Sequence, residues 1–275
     1  AWVMLPIMDG FAKYLSSELP VLQITWARYF FTVLFIFPLM LFFFKKYLVW
    51  TDKPELQLIR GLILLTANIC FFYSISVISL PKALTLAFVA PLVVTAFSPV
   101  FLSESVGYRR WIAVIIGFIG SLVVIRPGFV EINLASLAAL GTGIMYGFYL
   151  IITRKLSTSD NPLLTLLLTG VVGAIIATTF MPFVWVSPTF NQWSIMAAIG
   201  LFACIGHLFI ILSLKYADAS KLAPFSYFEI VTNIIIAYYF FSDFPDSWTF
   251  LGLFIIVFSG IYISRRENIV KNIKI

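Results

Sequence analysis

Charge is scarce in this chain: Asp, Glu, Lys and Arg make up 11% of its 275 residues, against 61% hydrophobic residues. A water-soluble domain needs about a quarter charged residues for its surface, so that class is excluded. Histidine occurs once, as His207, and cysteine twice, as Cys70 and Cys204. This rules against a His/Cys metal cluster, and both thiols fall in apolar stretches where cysteine behaves as inert packing. The chain also lacks a phosphate-cradling GxxxxGK[ST] loop, a paired-aspartate catalytic motif, and the filter or charged ring of a channel. No cofactor, metal or enzymatic activity is therefore expected.

What fills the sequence instead is a series of apolar runs, each of a length that suits a helix crossing a roughly 30 Å hydrocarbon core. Alternating ten-residue strands are missing, which disfavours a β-barrel. The breaks at charge, proline and glycine predict an all-α polytopic protein with about ten transmembrane helices. These spans are 1–15, 21–44, 58–78, 83–102, 111–125, 134–152, 163–186, 193–214, 222–241 and 248–263. The first is short for a span, so a few residues are expected before Ala1.

Basic residues gather on one side of that arrangement. Lys45, Lys46, Lys53, Arg60, Arg109, Arg110, Arg154, Lys155, Lys215, Lys221, Arg265, Arg266, Lys271 and Lys274 fall there, against Lys13, Lys82 and Arg126 on the other side and Arg28 within a span. The positive-inside rule then puts both termini in the cytoplasm, with the bacterial inner membrane as the expected location. The net charge of +6 is thus a topology signal, not a nucleic-acid patch.

A constant offset pairs Gly61 with Gly200, Leu62 with Leu201, Asn68 with His207, Ser74 with Ser213 and Arg126 with Arg265. It also pairs Lys82 with Lys221, Ser103 with Ser242 and Glu104 with Asp243; a slightly shorter offset sets Met8-Asp9-Gly10-Phe11 against Met145-Tyr146-Gly147-Phe148. Two halves, residues 1–128 and 129–275, are therefore expected, and an odd number of spans in each makes the repeat inverted.

The run "FFYSISVISLPKALTLAFVAPLVVTAFSPVFLSE" and its partner "LSLKYADASKLAPFSYFEIVTNIIIAYYFFSDFPD" resemble the two copies of an EamA repeat in the drug/metabolite transporter superfamily. The opening "MDGFAKYL" with "LQITWARYF" is similar to a subgroup described as S-adenosylmethionine uptake or riboflavin transporters. The resemblance spans the chain. It implies a ten-helix, two-repeat carrier of small organic metabolites with a central cavity lined by helices 1, 3, 4, 6, 8 and 9. Many relatives carry a proline where this chain has Phe228-Glu229, while the first repeat keeps Pro91, so Glu229 is expected to be a substrate-specific addition.

Polar residues inside apolar spans are the candidate site. A carboxylate at bilayer depth costs roughly 2.5 to 3.5 kcal/mol, and Glu229 lies roughly 12 Å beyond Lys221 along a helix, too deep to snorkel. Ser226 and Asn233 share its face. His207 and Asn68 are repeat partners, and His207 and Glu229 together are candidates for proton coupling. Asp9, Lys13 and Arg28 form a second group in which an Asp9–Arg28 ion pair is expected, with Asp9 leaning into the cavity. Tyr73, Phe88, Tyr146, Tyr149 and Tyr227 lie near enough to offer aromatic faces to a cation. Pro91, Pro99 and Pro224 are expected to kink their helices.

These residues favour a secondary carrier, monomeric or homodimeric, for a small amine- or sulfonium-bearing metabolite; a neutral or anionic vitamin-like solute is the alternative. For Glu229 itself, a structural neutral carboxyl, a cation site and a proton site all stay open at this point.

Overall fold

The computed structural model describes residues 1–47, 51–101, 106–126, 133–157, 159–216 and 228–273, without the side chains of 47 and 267–273. Its helices are α1 (Met4–Leu15), α2 (Val21–Phe43), α3 (Pro54–Val77), α4 (Leu80–Ala87), α5 (Ala90–Phe101), α6 (Tyr108–Ile125), α7 (Leu134–Leu156), α8 (Pro162–Val184), α9 (Phe190–Tyr216), α10 (Phe228–Phe241) and α11 (Ser247–Ile273), with a short 3₁₀ turn at Lys45–Tyr47. No strand occurs among the described residues. Eight segments are long and apolar enough to cross a membrane, α4 and α5 counting as one, Leu80–Phe101; α10 is a shorter apolar helix. Large side chains such as Phe183, 85% exposed, and Phe43 and Phe240 stand on the outer surface, where only lipid tails would solvate them.

Local chemistry starts and stops these helices as expected. Pro54 and Pro162 occupy the first turns of α3 and α8, where a missing N–H costs nothing. Asn133 and Asn161 cap α7 and α8 by accepting from the backbone N–H of Ala135 at 2.8 Å and Leu163 at 2.9 Å. The span containing Pro91 breaks at Phe88 and Val89, dividing α4 from α5. Pro99 lies inside α5 without ending it, and Pro224 is outside the described residues.

Packing between the halves follows an exchange of α1 with α7, α2 with α8, α3 with α9, α4–α5 with α10 and α6 with α11. Under it the contact of α3 with α7 becomes that of α9 with α1, α3 with α8 becomes α9 with α2, and α6 with α11 maps onto itself; all are present. Glycines repeat the pattern helix pair by helix pair. A methyl added at Gly61 would strike Val172 of α8, and one at Gly200 would strike Phe31 of α2. One at Gly10 would strike Ile236 of α10, and one at Gly147 would strike Val93 of α5. At the self-paired contact, a methyl on Gly252 would lie 2.7 Å from the carbonyl oxygen of Gly120, so the backbones of α6 and α11 touch. Small residues are what close packing requires where lipid offers no hydrophobic drive.

Candidate functional site

A cavity of about 230 Å³ lies between the halves. Its wall comes from α1, α3, α4, α5, α7, α9 and α10, from the start of α6 and from the middle of α11. Helices α2 and α8 contribute nothing to it.

One region of the wall is acidic and aromatic. Asp9 of α1 and Glu229 of α10 both line it, beside Trp2, Phe71, Phe88 and Tyr146. Asp9 Oδ1 and the Tyr146 hydroxyl are buried without a hydrogen-bond partner, and both side-chain polar atoms of Asn233, one turn beyond Glu229, are in the same state. Unanswered buried polar atoms cost about 1 to 3 kcal/mol each, so the two on the cavity wall, Asp9 Oδ1 and the Tyr146 hydroxyl, mark a place a polar ligand would complete. The other region is basic: Arg110 at the start of α6 and Arg154 at the end of α7 share the wall with Ser213 and Ser264.

Behind the cavity runs a hydrogen-bonded chain that is nearly complete. Arg60 is fully buried. Its Nε donates to Thr153 Oγ1 at 2.7 Å, Nη1 to the Thr165 carbonyl at 3.2 Å and to Thr169, and Nη2 to the Tyr149 hydroxyl at 2.7 Å. Tyr149 in turn lies 3.1 Å from His207 Nδ1, and Arg28 Nη2 lies 2.7 Å from His207 Nε2. Guanidinium can only donate, so Nε2 accepts and the His207 proton sits on Nδ1, aimed at the Tyr149 oxygen. The Arg28 guanidinium also lies 4.7 Å from the Tyr29 ring, whose hydroxyl accepts from Asn68 Nδ2 at 2.9 Å. Towards the end of α3, Asp160 Oδ2 accepts from Thr51 at 2.6 Å and from Gln57 at 2.5 Å.

The end of the bundle opposite Arg110 and Arg154 is held by ion pairs. Lys13 forms an ion pair with Asp243 at 3.0 Å and donates to the carbonyls of Ile75 and Ile78 at 3.2 Å each, joining the ends of α1, α3 and α10. Arg126 pairs with Asp246 nearby.

Of the side chains singled out in the sequence, the structure brings Glu229, Asp9, His207, Asn68, Phe88 and Tyr146 to the cavity wall. Tyr149 is instead part of the chain behind it, Tyr73 is half-buried away from it, and Asn233 is buried beside it. Ser226 and Tyr227 lie outside the described residues. Three expectations are corrected. The Asp9–Arg28 ion pair does not form, because His207 takes the Arg28 donor and Lys13 is drawn to Asp243. His207 has both ring nitrogens occupied by Arg28 and Tyr149, and a second ring proton would set donor against donor, so in this arrangement it carries only the proton on Nδ1. Arg110 and Arg154, placed between spans, and Arg60, counted with them as a topology marker, are within helices, with Arg60 wholly enclosed and the other two on the cavity wall. The spacing of Gln57, Arg60, Thr165 and Thr169 at three and four residues was the available sign that these polar groups face a common partner.

The EamA-like transporter family matches residues 4–126 and again 133–265. An S-adenosylmethionine uptake transporter of Rickettsia conorii (strain ATCC VR-613 / Malish 7) is 26% identical over 97% of this chain and 90% of that protein. A riboflavin transporter of Vibrio cholerae is 25% identical over 95% of this chain and 89% of that protein. The pseudopaline exporter CntI of Pseudomonas aeruginosa is 25% identical over 95% of this chain and 92% of that protein. A solved crystal structure superimposes with a TM-score of 0.69 at 17% identity, covering 96% of both chains, which supports the fold. With both halves matched in turn, the chain belongs to the EamA-like transporter family.

Proposed function

We propose that this transporter carries a small metabolite bearing an amine or sulfonium group, and that Asp9 and Glu229 receive that cationic group. The observation behind this reading is the pair of carboxylates on one cavity wall, surrounded by aromatic rings and by buried oxygens that lack partners. Cation–π contacts of about 0.5 to 2 kcal/mol and the two carboxylates replace the water such a group gives up. The basic region adds a second element: Arg110 and Arg154 suit the carboxylate of an amino acid-like solute, so the two regions together fit a zwitterion. S-adenosylmethionine has this distribution of charge, and relatives named for its uptake support it as the first substrate to test.

The mechanism follows from the inverted halves. About ten spans, in halves 1–128 and 129–275 with both termini cytoplasmic, rock about the fixed cavity. The Lys13–Asp243 tie then closes the outer end while the end with Arg110 and Arg154 gives access. A proton on Asp9 or Glu229 can take the place of the departing cation, so Glu229 keeps its role as a coupling candidate where His207 loses it.

Uptake into proteoliposomes from a panel of cationic, zwitterionic and anionic metabolites tests the reading. Trans substrate accelerates uptake through a carrier. Cationic and zwitterionic solutes compete with one another, and Glu229→Gln lowers their kcat/KM at least about tenfold, equal to a loss of 1.4 kcal/mol. Transport of an anion with the Gln variant fully active defeats the cation site.

A further inference from the structure

A second, much smaller cavity of about 10 Å³ lies on the far side of His207, lined by Arg28, Tyr29, Thr32, Tyr149 and Thr169 among others. His207 and Leu64 belong to both cavities and so form the partition between them. No acidic residue lines the small one. We propose that it is a binding site for a single monatomic anion, chloride, held between Arg28 and the hydroxyl of Tyr149.

The charge balance motivates this. Arg28 and Arg60 are 2% and 0% exposed, and neither has a carboxylate within ion-pair distance among the described residues. Asp160, which joins the same network through Gln57 and Thr165, is taken by Thr51 and Gln57. Two enclosed guanidinium ions without an anion are a large electrostatic debt, and hydrogen bonds to neutral oxygens reduce it only in part.

The unused hydrogen-bonding capacity has a definite sign. Arg28 Nε is buried without a partner among the described residues, and it can only donate. Tyr149 accepts from Arg60 and from His207 Nδ1, which leaves its own O–H as a donor, and Tyr149 lines the cavity. The hydroxyls of Thr32 and Thr169 are turned away, donating to the carbonyls of Arg28 and Thr165. Donors without acceptors, in a field set by two cations, select an anion over a cation. The size of the cavity limits the ligand further: about 10 Å³ is the lower limit for one water, so a halide enters only by pushing the wall outward, and phosphate, sulfate or a carboxylate is excluded. Because His207 is the partition, an occupied site fixes the imidazole from behind and stiffens that part of the substrate wall.

Thermal unfolding of the purified protein, followed by tryptophan fluorescence at constant ionic strength, tests the site with chloride, bromide and gluconate. Chloride and bromide should raise Tm saturably by at least about 3 °C, and gluconate should not. Tyr149→Phe should move the half-saturating chloride concentration upward at least about tenfold. An equal response to gluconate, no response, or an unchanged titration in the variant overturns the proposal. Should Tyr149→Phe fail to fold, anomalous scattering from crystals grown in bromide decides: a peak between Arg28 and Tyr149 supports the site, and its absence means the cavity holds water.

Discussion

Two neighbouring regions of this molecule treat buried charge in opposite ways. Arg60, behind the cavity, is built into hydrogen bonds: each of its nitrogens has an oxygen to donate to, and the Tyr149 ring lies 4.4 Å from its guanidinium. On the cavity wall, by contrast, Asp9 keeps a buried oxygen that nothing among the described residues answers. A completed network rigidifies helices against one another, whereas an incomplete one stores free energy that a ligand releases on binding. By this difference the arginine network is scaffold, holding α3, α7, α8 and α9 in register, and the carboxylate wall is where solute is recognised.

The sharpest way to break that contrast is to truncate the scaffold. Arg60→Ala strands the donors and acceptors of Thr153, Thr169 and Tyr149, and is expected to cost about 3 kcal/mol or more in stability, seen as a large fall in Tm and in monodisperse yield. Arg60→Met, similar in volume and without charge, should recover much of that loss. Next in size is the converse experiment on the wall. Asp9→Asn should lower kcat/KM for a cationic solute at least about tenfold while leaving Tm unchanged or slightly raised, since it removes a charge that the protein itself does not pair. If Asp9→Asn instead unfolds the protein, the wall is scaffold too and the contrast fails.

A smaller effect is expected at the closed end. Lys13→Met removes one ion pair and two donations to carbonyls, so the ends of α1, α3 and α10 should separate more readily. Labelling of a cysteine introduced at Ala12 by a thiol reagent added from that side should accelerate about two- to fivefold, with a change in stability of about 1 kcal/mol. The smallest effect belongs to Asp246. Partial burial pushes its carboxyl up, but hydrogen bonds from Thr249 and from Arg126 outweigh that and hold it below its ordinary value of 3.8. A depressed value means the contribution is complete above 3.8 and disappears as pH falls through the lowered value. Asp246→Asn should therefore lower Tm by no more than about 2 °C at neutral pH, with the gap to the parent closing in strong acid.

The site was partly legible beforehand because polar residues are so rare in these helices. Glu229, Asp9, His207 and Asn68 stand out against apolar neighbours, and all reach the cavity wall. Arg60, Arg110 and Arg154 did not stand out, since a basic residue near the end of a span reads equally well as a topology marker. Which of the two it is depends on whether a partner such as Thr153 or Thr169 approaches from another helix, and that approach is a long-range event. Tyr149 and Tyr146 illustrate the same limit: three residues apart on α7, one closes the network and the other faces the cavity.

Composition, span length and the offset between the halves were sufficient for an all-helical membrane protein built from two related parts, because the bilayer allows few ways to satisfy a backbone and because Gly10, Gly61, Gly147 and Gly200 must be small wherever helices touch. The pairing of charges was decided only in the tertiary structure. Arg28 has Asp9 and His207 as plausible partners at similar depth, and the choice of His207 rests on how α2, α7 and α9 cross, a geometry no local pattern encodes.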